Sequence, residues 1–161
     1  LQGLALMAAF YLNELILNFT RRGDPHPGLF MAYAEALAEL RQGPDPEPAL
    51  RRFELRLLAE AGYGLNLDHD VLNDVALDPH GSYEYRIEHG PVPAEAGQAA
   101  LVLSGLTLLA ISRGELTDPG VLQSAKRLLR GVLAHYLDGR TLRTRQVLAS
   151  MRRAPAVSQL S

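Results

Sequence analysis

Apolar residues recur along most of this chain at the three- and four-residue spacing of a helix face, and the places where that rhythm fails mark its boundaries. Near the start, Leu4, Ala8, Tyr11, Leu15 and Phe19 keep the spacing, while Leu6, Phe10 and Leu17 occupy the other side. This predicts a helix buried nearly all round. It should end near Arg21, Arg22 and Gly23, where cations suit the carboxyl end of the helix dipole and glycine supplies the stop. A second helix follows Pro27, runs through LFMAYAEALAEL and ends at Gly43.

Pro44, Asp45, Pro46 and Pro48 punctuate the chain before a third helix, with Asp45 as its cap and Pro46 in its first turn. At 100° per residue, Leu50, Phe53, Leu57 and Ala61 form the buried stripe. Arg51, Leu55 and Leu58 share one flank, and Arg52 and Arg56 point to water. Glu54 falls near the stripe, where a lone carboxylate is costly, so it should be paired or accept backbone donors. The Gly62-Tyr63-Gly64 that follows reads as a helix stop. A phosphate loop follows a strand and opens a helix, and this stretch lacks the lysine such a loop carries.

Beyond Gly64 the helical period is lost over NLDHDVLNDVALDPHG, and SYEYRIEHGPV alternates in the manner of a short, half-buried strand. Helical rhythm returns over LLAISRG, with Ser104 or Thr107 as the cap, and again after Asp118-Pro119. That later helix turns Val121, Ala125, Leu128, Leu129, Val132 and Tyr136 inward and Lys126, Arg127 and Arg130 outward. A last helix covers LRTRQVLASMRR, and the tail after Pro155 should fray. The expected fold is mostly α: a helical bundle with a small irregular or β insertion. Helices over residues 1–65, a loop and β lobe over 66–103, and closing helices over 104–161 make up its three parts.

Composition changes this picture at two points. The chain has no cysteine, which excludes disulfides and thiolate metal sites and suits a reducing cytoplasm. Its net charge of −2 hides an asymmetry: residues 1–125 carry eight Lys or Arg against seventeen Asp or Glu, and residues 126–161 carry eight against Asp138 alone. A basic patch on an acidic body attracts phosphates or acidic partners. The most apolar stretch, AGQAALVLSGLTLLAIS, is interrupted by Gly, Gln and Ser and falls short of the roughly 20 residues a membrane span needs. LQGLALMAAFYLNEL has no basic run before its apolar part and does not read as a signal peptide.

YLNEL at 11–15, EPALRRFELRLLAEAGYGL at 47–65 and QSAKRLLRGVLAHYLDGRTLRTRQVL at 123–148 together resemble the recombination mediator family RecO, in the same order and over almost the whole chain. The resemblance implies an α-helical domain that follows an N-terminal DNA-binding OB-fold and is interrupted by a small zinc-finger-like lobe. This chain would begin where the OB-fold ends. It implies a non-enzymatic adaptor of the RecF pathway of DNA repair, with no cofactor, cytoplasmic and nucleoid-associated during repair. Such an adaptor binds the acidic C-terminal tail of single-stranded-DNA-binding protein, cooperates with RecR, and promotes RecA loading and strand annealing. Many relatives place four cysteines in the lobe, where this chain has Asp70 and its neighbours, so the zinc function is expected to be lost.

Arg51 is by itself either a solvated arginine packing its stem on leucines or a clamp for a peptide carboxylate, with Leu55 and Leu58 lining the pocket for an aromatic side chain. The resemblance assigns the second role, because the family's tail-binding arginine corresponds to the first arginine of LRRFE. Lys126, Arg127, Arg130, Arg140, Arg143 and Arg145 are the candidate contacts to single- or double-stranded DNA, backbone-directed and without sequence choice. Tyr136 is the only aromatic residue close to them in sequence, so stacking on exposed bases is not expected. A sequence-independent DNA-binding or annealing module acting through these helices is the alternative function. Asp68, His69, Asp70, Asp74, Asp78, His80 and His89 match no strong metal signature, and Ser82 lies in no nucleophile elbow. A metal-dependent hydrolase is disfavoured, as is a general-acid role for Glu54.

Overall fold

Where the apolar period holds, the chain is helical, and where it lapses a small strand-built lobe takes its place. The computed structural model describes residues 1–20, 25–95 and 101–153. The helix stop expected at Arg21 to Gly23 and the tail after Pro155 lie outside them. Three helices come first: α1 (Gly3–Phe19), α2 (Pro27–Gln42) and α3 (Glu47–Glu60). Pro46, not Asp45 as expected, occupies the N-cap position of α3, and Asp45 one residue earlier braces the turn by accepting from the Glu47 amide at 3.0 Å. The other end closes as a Schellman motif. Tyr63 N–H donates to the Leu58 carbonyl at 2.7 Å and Gly62 N–H to that of Ala59 at 3.1 Å, with Gly62 at φ +86°, where a side chain is strained.

The lobe holds two antiparallel sheets. β1 (His69–Asp70) pairs with β2 (Val75–Ala76), and β3 (Ser82–Arg86) lies between β4 (Gly90–Pro93) and β5 (Val102–Ser104). In the second sheet Tyr83 stands opposite Pro93 on one side and Leu103 on the other. The lobe is joined to the helices at β5, which runs straight into α4 (Gly105–Ser112). Ser104 is the cap, its hydroxyl oxygen accepting from the Thr107 amide at 3.1 Å. Gly105 is needed here, because a Cβ would meet the Asp78 carbonyl oxygen at 1.9 Å.

Two helices complete the fold, α5 (Pro119–Leu137) and α6 (Arg143–Arg153). Asp118 caps α5 by accepting from the Val121 amide at 2.9 Å. Helix α3 is the hub, packed on α2, α5 and α1, while α6 lies along α1. Leu12, Leu15, Phe53, Leu57, Leu58, Leu108, Ile111, Leu129 and Leu133 are sealed in one core. Each contributes about 1.5–3 kcal/mol relative to exposure.

Three further expectations need correction. Helix α1 is not buried all round: Leu6, Phe10 and Leu17 are 40%, 49% and 79% exposed, because α2, α3 and α6 cover only its other face. Arg52 points only partly to water, its side chain 38% exposed. It forks onto Glu39 of α2, at 2.6 Å from Nη2, and reaches the Gly114 carbonyl, since α2 packs along that side of α3. Ala61, placed in the buried stripe, is half-exposed as the residue that ends the helix. Among the described residues, no helix is long and apolar enough to cross a membrane.

Candidate functional site

A buried polar triad joins α1 to α3. Glu54 is fully buried and accepts from the Tyr11 hydroxyl at 2.5 Å and from Arg51 Nη2 at 2.9 Å. Arg51 is itself only 6% exposed. Burial pushes the Glu54 carboxyl above its ordinary range against the pull of Arg51. Burial also works against the Arg51 charge, but Glu54, Tyr11 and Glu47 together outweigh it and hold the guanidinium protonated. The i,i+3 spacing of Arg51 and Glu54 was the signal for this pairing in the sequence. Satisfaction is incomplete. Arg51 Nε and Glu54 Oε2 are buried with no hydrogen-bond partner among the described residues.

Arg51 forms the floor of a small pocket, about 70 Å³, where α1, α3, α5 and α6 meet. Leu50, Tyr11, Leu148 and Ala149 supply its apolar wall, and Lys126, Arg130 and Arg145 its cations. Lys126 is tied to Glu47 at 3.2 Å. The side chains of Arg130 and Arg145 make no hydrogen bond or ion pair with any described residue. Burial, and then the neighbouring Arg130 and Arg51 against the pull of Tyr11 and Glu54, lower the pKa of Arg145. Four cations and one carboxylate, Glu47, therefore line one concavity, while the buried Glu54 is bonded to Arg51. Such a place favours an anion with an apolar part.

Helix α6 reaches this position through a contact that no local pattern announces. The Glu14 carboxylate on α1 accepts from the backbone amides of Arg143 and Thr144, at 2.9 and 3.0 Å, and from the Thr144 hydroxyl. It is a cap supplied from a distant helix. Partial burial raises the Glu14 pKa, but the bonds from Thr144 and Arg143 and the Arg143 charge outweigh this and hold it below the ordinary range.

The expected site residues are redistributed. Leu58 is in the core with no exposed surface. Leu55 faces a different cleft, about 270 Å³, between α2, α3 and the end of α4, beside Arg52, Arg56 and Arg113. The flank of α3 is therefore not one open slot with Arg51 at its lip, because the bundle closes over Leu58 and turns Leu55 away. The six expected DNA contacts are spread over α5, the turn after it and α6. Lys126, Arg130 and Arg145 line the Arg51 pocket. Arg140 is spent on carbonyls, donating to Leu137 O at 3.0 Å and to Asn18 O at 3.2 Å. Arg127 and Arg143 are exposed.

With this geometry in view, comparison with known proteins decides the family. The model for "Recombination protein O C terminal" matches residues 1–146. The chain belongs to the RecO C-terminal family. It is 46% identical over 155 residues to the DNA repair protein RecO of Azoarcus sp. (strain BH72), covering 94% of this chain and 64% of that protein. It is 46% identical over 150 residues to the DNA repair protein RecO of Nitrosospira multiformis, covering 92% and 62%. The Aliivibrio fischeri (strain MJ11) DNA repair protein RecO is 39% identical over 147 residues, with 91% and 62% covered. The chain thus spans less than two thirds of the length of these RecO relatives.

The zinc that RecO resemblance implies for the lobe does not fit the residues found there. There is no cysteine in the chain, and no three His, Asp or Glu side chains converge as metal ligands among the described residues. Asp70 does other work. Its carboxylate accepts from the amides of Leu72 and Asn73 and from the Asn73 side chain, at 2.9, 3.2 and 2.8 Å, closing the turn between β1 and β2. These bonds, led by the Asn73 side chain, lower its pKa. The Tyr83 hydroxyl holds the next loop by accepting from the Asp78 amide at 2.9 Å.

Proposed function

We propose that this chain is the peptide-gripping helical domain of a RecO-type mediator, and that its pocket takes the acidic, phenylalanine-ended tail of single-stranded-DNA-binding protein. The observation that carries the proposal is the placing of Arg130 and Arg145, without partners among the described residues, beside Arg51 and an apolar wall of Leu50 and Leu148. A terminal carboxylate pairs with the arginine forks, the aromatic ring lies on the leucines, and upstream acidic residues meet Lys126 and the basic face of α5. Arg51 sets the electrostatic floor while remaining bonded to Glu54. Recruitment by binding, with no covalent step, then supports cooperation with RecR, RecA loading and strand annealing in recombinational DNA repair.

The test is titration of an acidic peptide ending in phenylalanine. Arg130→Ala and Arg145→Ala should each weaken binding about tenfold or more, as loss of a charged hydrogen bond worth roughly 1.5–3 kcal/mol implies. Arg127→Ala should leave it within about twofold, because exposed pairs contribute little. Unchanged affinity in both pocket variants overturns the proposal. Sequence-independent DNA binding through the same helices is the second reading, favoured by exposed Arg127 and Arg143 on the basic C-terminal segment. It requires affinity for a labelled single strand that falls steeply with salt and drops in Arg127→Ala.

A further inference from the structure

A second pocket has the opposite character. Helices α3 and α5 run in the same direction: Glu47 at the start of α3 meets Lys126 in the first half of α5, and Tyr63 just past the end of α3 stacks on Tyr136 at the end of α5. The start of α3 and the middle of α5 flank the cationic pocket. Their carboxyl ends flank a cavity of about 170 Å³, closed on its third side by the β3–β4 hairpin. Each helix carboxyl end carries partial negative charge equivalent to about half an electron. Tyr63, Tyr85 and Tyr136 line the cavity together with Glu88 and His89, and no Lys or Arg lines it among the described residues.

The aromatic part is built rather than incidental. Tyr63 and Tyr136 stack with centroids 4.2 Å apart and planes 26° apart, and Phe19 braces Tyr63 edge-on at 6.4 Å. Glu88 sits at φ +70°, a conformation unfavourable for a residue with a side chain, and is paired with His135 at 3.0 Å. Burial, then the neighbouring Tyr136, pushes the Tyr85 hydroxyl up to about 12, and Glu88 and Tyr63 add to burial in raising that of Tyr136. Extra negative charge is unwelcome here. A nucleotide would bring a phosphate to two helix carboxyl ends and a carboxylate, whereas a cation meets tyrosine rings and Glu88, both of attractive sign.

We propose that this cavity is a receptor for an arginine side chain of a partner protein, the guanidinium lying against the Tyr63–Tyr136 pair and bonding to Glu88. Arginine suits it better than lysine because a planar, weakly hydrated cation stacks on rings. The site is independent of the anion pocket, so failure of one leaves the other standing.

N-acetyl-arginine amide serves as the probe, followed by tyrosine ring resonances in NMR. Saturable shifts at Tyr63, Tyr85 and Tyr136 are expected, at least threefold tighter than with N-acetyl-lysine amide, and no saturable response to N-acetyl-glutamate amide. Glu88→Gln and Tyr63→Leu, both at exposed positions that leave the core intact, should each weaken binding at least threefold. Shifts no larger than those from N-acetyl-glycine amide, a stronger response to deoxyadenosine monophosphate, or binding unchanged in both variants would each overturn the proposal.

Discussion

Replacing Arg51 by methionine is the perturbation whose outcome the structure dictates most clearly. The side chains of Arg51 and Glu54 are 7% and 0% exposed and meet at 2.9 Å, and the Tyr11 hydroxyl is the other donor to Glu54. Taking away the guanidinium strands a buried carboxylate, which costs about 3–5 kcal/mol. In urea, with a slope on the order of 2 kcal/mol per molar, the midpoint should fall by roughly 1.5–2.5 M. Removing the whole triad together, as Tyr11→Phe with Arg51→Met and Glu54→Leu, leaves no polar group unpaired. That variant should recover to within about 1–2 kcal/mol of the parent. Burial already holds the folded Glu54 pKa above its unfolded value of about 4.3 against the pull of Arg51, and losing Arg51 raises it further, so the variant's folded state keeps a proton that the unfolded state releases as pH rises past that value. The Arg51→Met deficit should therefore be smaller near pH 5 than near pH 8. Circular dichroism against urea reads all of this. A single variant that unfolds with the parent, or a triple variant no better than the single, would refute the account of the triad.

Other consequences follow from the same contacts. Glu14→Ala removes the cap on α6 and should cost about 1 kcal/mol, with faster amide exchange at Arg143 and Thr144. Since the Glu14 pKa is depressed in the fold, its contribution is present above the unfolded value of about 4.3 and is lost as pH falls through the lower folded one, which an acid titration of the same amides will show. Gly105→Ala drives a methyl group into the Asp78 carbonyl and should destabilise by about 1–3 kcal/mol in thermal unfolding, with lobe and helices separating at β5. Asp70→Ala should raise exchange at Leu72 and Asn73 while leaving α3 and α5 protected; unaltered protection would mean that the carboxylate does not hold the turn.

Much of the helical layout was legible because long apolar rhythms and caps agree: Asp118, Ser104 and Gly62 all act where their chemistry suggested. The lobe was legible as irregular because strands of two to five residues carry too few alternations to fix a register. The site was less legible. Helical spacing puts Arg51, Leu55 and Leu58 on one flank but says nothing of which neighbour covers it. Helices α5 and α6 turn Arg51 inward beside Arg130 and Arg145, while α2 and α4 draw Leu55 to another cleft. Tyr63 and Tyr136 are 73 residues apart, so only the parallel course of α3 and α5 reveals the stacked pair. The same holds for Glu14 and α6, joined across about 130 residues.

Where the ring of the bound peptide comes to rest separates the pocket at Arg51 from every other cation on the surface. An acidic peptide ending in a photoreactive benzoylphenylalanine, irradiated on the protein and mapped by mass spectrometry, should cross-link to Tyr11, Leu50, Leu148 or Ala149 and lose that product in Arg145→Ala. Cross-links at Ala36 or Leu55 in the opposite cleft, or products insensitive to Arg145, would contradict it.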